Sequence, residues 1–163
     1  MDVDFSLEAR QFLEAHPKEK LEGLSLDERV SKLLEAKARL HNEHFDKKIS
    51  PEQLETVFNR GQAVTDWVYC ASKSNMQWSF ARVNKFIYMH QDKKVGKSYR
   101  CADRDIAEGE LEYETEMAGQ GYHDYTDLDF AVARLDLKNI QVSEDESNRK
   151  IKGLLGMKFV QED

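Results

Sequence analysis

No apolar run in this chain is longer than a few residues, which excludes a membrane-spanning helix of about 20 residues. Cysteine is scarce: Cys70 and Cys101 are 31 positions apart and form no CxxC pattern. That suits buried thiols in a reducing compartment better than a disulfide framework. No apolar stretch follows the acidic, amphipathic opening MDVDFSLEAR, so no secretory signal is expected. A GxSxG elbow, a P-loop and a dinucleotide fingerprint are all missing, and Gly119-Gln120-Gly121 is too short to cradle phosphates. There is no internal repeat and no low-complexity linker.

What is present is enough for one domain. The chain has 163 residues, 40% of them apolar and 34% charged, so it can bury a core without a disulfide staple. Its net charge of −7 is unevenly spread. Residues 1–50 carry 9 basic and 11 acidic side chains, residues 51–101 carry 8 and 4, and residues 102–163 carry 7 and 16. A basic middle and an acidic end can neutralise each other within the fold or between neighbouring subunits.

Capping signals mark the helices. A first helix over about 6–15 carries Leu7, Phe12 and Leu13 and stops at His16-Pro17, because the residue before a proline is pushed out of helical geometry. Ser25 and Glu28 form a capping box ahead of an apolar stripe of Leu26, Val30, Leu33, Leu34 and Leu40, which predicts a helix over about 26–45. Ser50, Pro51 and Gln53 open another helix, with Leu54, Val57, Phe58, Gly61, Val64 and Val68 on one face. Gly61 inside such a pattern marks a close helix crossing or a bend. Ser74 and Gln77 start the next helix, lined by Met76, Phe80, Val83 and Ile87. These two helices are expected as an antiparallel hairpin over 51–90.

Beyond the basic loop 91–99 the pattern blurs. Residues 110–116 fit an edge strand or an acidic helix equally well, and 130–142 read as a helix capped by Thr126 or as a strand. A last helix begins at Ser143, boxed by Glu146, and is expected to end at Gly153 or Gly156. The fold class is therefore mainly α: a helical hairpin core in one domain, 1–163, with N-terminal helices over 1–50, the hairpin segment over 51–106, and a less regular acidic part over 107–163 that has room for one or two short strands.

Metal and catalytic constellations are incomplete. His41 and His44 share a helix face, but HNEH is not HExxH, and a zinc site needs three or four ligands. His90, His123, Cys70 and Cys101 are not brought together by spacing. Asp124, Asp127 and Asp129 resemble part of a calcium loop without its glycine and terminal glutamate. Asp103 and Asp105 could hold magnesium, but acidic side chains are common in a first helical turn, and the helix-start reading is preferred. The reading is of a protein with no catalytic residues, no metal and no cofactor.

Residues 54–106 carry the most information. They run LETVFNRGQAVTDWVYCASKSNMQWSFARVNKFI, a basic gap, then SYRCADRDI. This resembles a segment that recurs in proteins of tailed bacteriophages: a V-[FY]-x-R-G-x-x-A helix, a variable turn, a W-x-x-A-R-V-N-x-F helix, a Lys-rich gap and an A-D-x-D-[LI] ending. The matching residues are Val57, Phe58, Arg60, Gly61 and Ala63, then Trp78, Ala81, Arg82, Val83, Asn84 and Phe86, and finally Ala102, Asp103, Asp105 and Ile106. In the turn, where the family often has Arg-Pro-Gly, this chain has Ala71-Ser72-Lys73-Ser74. The resemblance covers about a third of the chain and implies a viral context, in the virion or the host cytoplasm, without implying an activity.

Two arrangements of these residues are open. In one, Arg60 and Arg82 face Asp103 and Asp105 and pin the 103–106 segment across the hairpin. Asn84 then caps the returning segment, Gly61 permits close approach, and Trp78 and Phe86 fill the junction. In the other, Arg60, Arg82, Lys85, Lys93, Lys94, Lys97 and Arg100 face outward and bind phosphate or an acidic surface. Together with Asn84 these are the candidate binding residues. The function expected is that of a non-enzymatic phage virion or assembly component, its partners other virion or assembly proteins and further copies of itself. The alternative is a host-cytoplasmic regulatory or nucleic-acid-binding module, with Trp78, Tyr88 and Tyr99 available to stack bases.

Overall fold

A computed structural model describes residues 5–17, 21–64, 73–93, 95, 103–107, 125–149 and 151. Among them are seven helices and no strand: α1 (Phe5–Ala15), α2 (Leu26–His44), α3 (Pro51–Val64), α4 (Asn75–Met89), α5 (Arg104–Ala107), α6 (Asp127–Asn139) and α7 (Glu144–Ser147). The mainly α expectation holds. Of the 130–142 region, residues 130–139 are helical and the chain turns at 140–141: Thr126 and Asp129 cap the helix reciprocally, and Phe130, Ala133 and Leu137 recur at helical spacing into the core. The acidic run 110–116 and Gly119-Gln120-Gly121 lie outside the described residues.

The caps are local, and they form as their spacing requires. Ser25 Oγ accepts the Glu28 N–H at 3.2 Å while Glu28 Oε1 accepts the Ser25 N–H at 2.9 Å. Ser50 and Gln53 do the same for α3, Ser74 and Gln77 for α4, and Ser143 and Glu146 for α7. Each pair satisfies two backbone donors that the first helical turn leaves orphaned.

The last helix is far shorter than its pattern suggested. It ends at Ser147 because the next turn's hydrogen bonds go elsewhere. The Ile151 N–H is taken by Gln62 Oε1 at 2.9 Å, and the Ile151 carbonyl accepts from Gln62 Nε2. A glutamine on α3 thereby replaces the helical partner of a buried residue.

α4 is the centre. Every residue from Met76 to Ile87 is buried, so the helix is enclosed on all sides. α3 covers one flank: Phe58 meets Phe80 edge-on at 5.0 Å, and Gly61 lies over Ser79. A Cβ built on Gly61 would sit 2.8 Å from Ser79 Cα, so the glycine in the apolar stripe marks a close crossing. Residues 65–72, which include the expected continuation of the stripe to Val68 and the start of the turn at Ala71, lie outside the described residues. α6 covers the opposite flank. Trp78, expected at the hairpin junction, packs edge-on against Phe130 at 4.8 Å and Tyr125 at 5.4 Å. α2 contributes the apolar row Val30, Leu33, Leu34 and Ala38, and Arg29 donates to the Ile140 and Gln141 carbonyls at 2.7 and 2.9 Å, holding the turn between α6 and α7.

The Gly61–Ser79 contact has a direct test. A backbone atom cannot rotate out of the way, so Gly61→Ala is expected to lose about 1–3 kcal/mol from overpacking, outweighing the roughly 1 kcal/mol that alanine gains in helix propensity. Urea unfolding of the two proteins measures it; an unchanged or raised midpoint would show that α3 and α4 can separate freely.

Candidate functional site

A helix enclosed on all sides but carrying Arg82, Asn84 and Lys85 must find partners for them inside the protein, since buried charge without a partner is strongly unfavourable. Each of the three is buried and paired. Arg82 grips Asp103 with two hydrogen bonds, Nε to Oδ2 at 2.9 Å and Nη2 to Oδ1 at 2.8 Å. Arg60, one helix away, reaches Asp103 Oδ1 at 3.3 Å and grips both oxygens of Asp105, with Nη1 to Oδ1 at 2.8 Å. Two guanidinium groups and two carboxylates form a closed, formally neutral set. Burial opposes the charge on Arg60, but the Asp105 hydrogen bonds and the charges of both aspartates outweigh it and hold its pKa above the usual guanidinium value. Gln53 adds a hydrogen bond to the Ile106 carbonyl at 3.1 Å. The 103–107 segment is thus fastened to α3 and α4, as the inward arrangement predicts.

Asn84 does something different from the role expected of it. Its amide does not cap the 103–106 segment but lies on the other side of α4, donating to Asp136 Oδ2 and accepting from Lys37 Nζ, both at 3.0 Å. Lys37 is 1% exposed. Its three donors go to Glu8 at 2.6 Å, Asp136 at 3.0 Å and Asn84, the full capacity of an ammonium group. Burial raises the pKa of both Glu8 and Asp136, with Lys37 pulling the other way. Burial likewise opposes the charge on Lys37, but the two carboxylates outweigh it and hold its pKa above the usual lysine value. This node joins α1, α2, α4 and α6. Its signal in the sequence is the position of Lys37, on the same helical row as Val30 and Leu33.

The outward arrangement therefore does not hold for Arg82 and Lys85, and Asn84, also a candidate binding residue, is buried and bonded internally. Lys85 pairs with Asp129 at 3.2 Å and stands over the Tyr125 ring at 5.1 Å. Arg60 keeps 18% of its side-chain exposure but is paired. Lys93 lies half-buried, over the Tyr88 ring at 4.6 Å. Lys94, Lys97 and Arg100 lie outside the described residues, as do Tyr99, His123 and both cysteines.

His41, His44 and His90 each have a ring nitrogen within hydrogen-bond distance of a backbone carbonyl. His41 is buried with Nε2 2.6 Å from the Lys47 carbonyl and its ring stacked on Phe45, and His44 Nδ1 is 3.0 Å from the Leu40 carbonyl. Burial lowers the pKa of His41 and of His90. Among the described residues no three metal-ligating side chains converge, and no helix is long and apolar enough to cross a membrane.

Glu55, also missed in the sequence, is 1% exposed between α2 and α3. Ser31 Oγ donates to its Oε2 at 3.2 Å, while Oε1 has no hydrogen-bond partner. Burial pushes its pKa up to about 7, the Ser31 hydrogen bond lowers it, and Glu52 and Glu35 add repulsion.

Against this geometry the comparisons with known proteins return nothing: no protein family, no curated protein and no solved structure matches the chain.

Two outcomes follow from the buried charges. Asp103→Asn strips the countercharge from Arg82 and is expected to cost about 3–5 kcal/mol, the penalty for breaking one side of a buried pair. Chemical denaturation checks it, and a loss below about 1 kcal/mol would show the pair to be dispensable. For Glu55, a folded-state pKa above the unfolded value makes the protonated form the stabilising one. Its contribution is complete below the unfolded-chain value of 4.5 and is lost as pH rises through about 7. Glu55→Gln should thus raise stability by about 1–2 kcal/mol at pH 8.5 and leave it nearly unchanged at pH 4. Melting curves across this range would sink the assignment if the gain were the same at both ends.

Proposed function

We propose that the chain is a non-enzymatic bacteriophage protein, a small virion or assembly component that works through protein–protein contacts. The observation that carries this reading is where the phage-like residues lie. Arg60, Arg82, Asp103 and Asp105 close on one another, and Gly61 sets the helix crossing. A motif whose members are consumed in packing specifies a scaffold, and a scaffold of this kind acts through the surface it presents. Arg60, Arg82 and Lys85 of the basic 51–101 stretch are neutralised within the fold by Asp105, Asp103 and Asp129 of the acidic 102–163 stretch, so part of the charge polarity of the sequence is spent on packing as well.

The host-cytoplasmic or nucleic-acid-binding alternative keeps support from Lys93, Lys94, Lys97 and Arg100, but it loses Arg82 and Lys85 to internal ion pairs. Mass spectrometry of density-purified particles, with copy number measured against the major capsid protein, separates the two. Many copies per particle are expected. Complete absence from particles, together with salt-sensitive binding to short DNA duplexes or single strands, would overturn the assembly reading in favour of the alternative.

A further inference from the structure

α6 buries one face and leaves an unusual second one. Leu128 is 72% exposed and Leu135 is 42% exposed. With Ala131 and Val132, both half-buried, they follow the i, i+3, i+4, i+7 spacing of a helix-packing stripe. A buried apolar row on a helix is core, whereas contiguous apolar surface turned outward is a candidate contact site. The stripe is not uniform along its length. Leu128 is a ridge at the N-terminal end. At the C-terminal end, Ala131 and Leu135 line a groove of about 530 Å³, whose other walls include Gln77 on α4 and Val142 and Ser147 near α7.

Charge follows the same polarity. Asp127 stands beside Leu128, and Arg134 and Lys138 stand beside Leu135. Asp127 and Arg134 are exposed and seven residues apart, two turns along the same side of the helix, and Arg134 lines the groove. No ion pair among the described residues uses Asp127, Arg134 or Lys138.

We infer that α6 is a self-association surface, pairing antiparallel with α6 of a second copy of this chain. A twofold contact requires one patch to be complementary to itself. Reversing one α6 against another sets the Leu128 ridge opposite the Leu135 groove and Asp127 opposite Arg134. Both pairs are seven residues apart, about 10.5 Å along a helix. Their inversion centres fall within about one residue of each other, so a single reversal satisfies both. A parallel pairing would set ridge on ridge and like charge on like charge. One helix face buries less than the ~1,200–2,000 Å² of a standard interface, so the expected dissociation constant is in the tens of micromolar. This contact is one member of the protein–protein contacts proposed above. It is tested on purified protein, so its failure is separate from the particle measurement.

The experiment is sedimentation equilibrium of the full chain from about 1 µM to about 1 mM, a range that brackets the expected constant. Wild type should pass from monomer to dimer. Leu128→Lys should weaken dimerisation at least about tenfold. Asp127→Lys and Arg134→Glu should each weaken it severalfold, and the two reversals combined should restore it. All four positions changed or paired here are exposed, and far-UV circular dichroism checks that each variant is folded. A wild-type chain that stays monomeric throughout overturns the inference and leaves the stripe to a partner of different sequence. Dimerisation unchanged by Leu128→Lys overturns it too, and single reversals without effect overturn the antiparallel register.

Discussion

The architecture depends on one constraint: a central helix enclosed on all sides that is not apolar on all sides. α4 takes Arg82, Asn84 and Lys85 into the interior, and each imposes a demand on a different neighbour. Arg82 requires Asp103, Asn84 requires Asp136 and Lys37, and Lys85 requires Asp129. Buried ion pairs add little net stability because desolvation offsets their attraction. They do penalise wrong arrangements heavily, since any packing that leaves one member unpaired costs several kcal/mol. The apolar core around Phe58, Phe80 and Phe86 supplies the driving force of burial, and the polar partners of α4 decide which helix lies where.

Lys37 shows how far that logic reaches. It is held by Glu8, Asp136 and the Asn84 carbonyl, and it sits where four helices meet. α1 is the shortest of the helices gathered there, and Glu8 is its buried polar anchor. Local helix propensity does not hold an element of this length, so its position follows from docking.

The same accounting bears on function. Arginines and lysines in a basic stretch suggest an anion-binding surface, yet a guanidinium that already holds two carboxylate oxygens has little left to offer a phosphate. Arg60 and Arg82 are consumed in this way. What α6 exposes is a mixed surface, Leu128 and Leu135 beside Asp127, Arg134 and Lys138.

The features legible in the sequence are those whose partners lie within one helical turn or one helix face. The capping boxes at Ser25, Ser50, Ser74 and Ser143 were readable because an i, i+3 pair is fixed by chain geometry. The apolar stripes of α2, α3 and α4 followed from the 3.6-residue period, and Gly61 stood out because a stripe has no other use for it. The pairing of Arg60 and Arg82 with Asp103 and Asp105 was available as one of two arrangements, since charge complementarity restricts partners without choosing the direction a side chain faces. The rest required the third dimension. Nothing local says that Asn84 turns to Asp136, 52 positions away, that Gln62 ends the last helix from 89 positions away, or that Glu55 is buried while Glu52 is not. Sequence alone determined where helices start and which faces are apolar, because those are short-range properties of the backbone. Tertiary structure decided which polar groups are enclosed and with what, because desolvation depends on every neighbour at once.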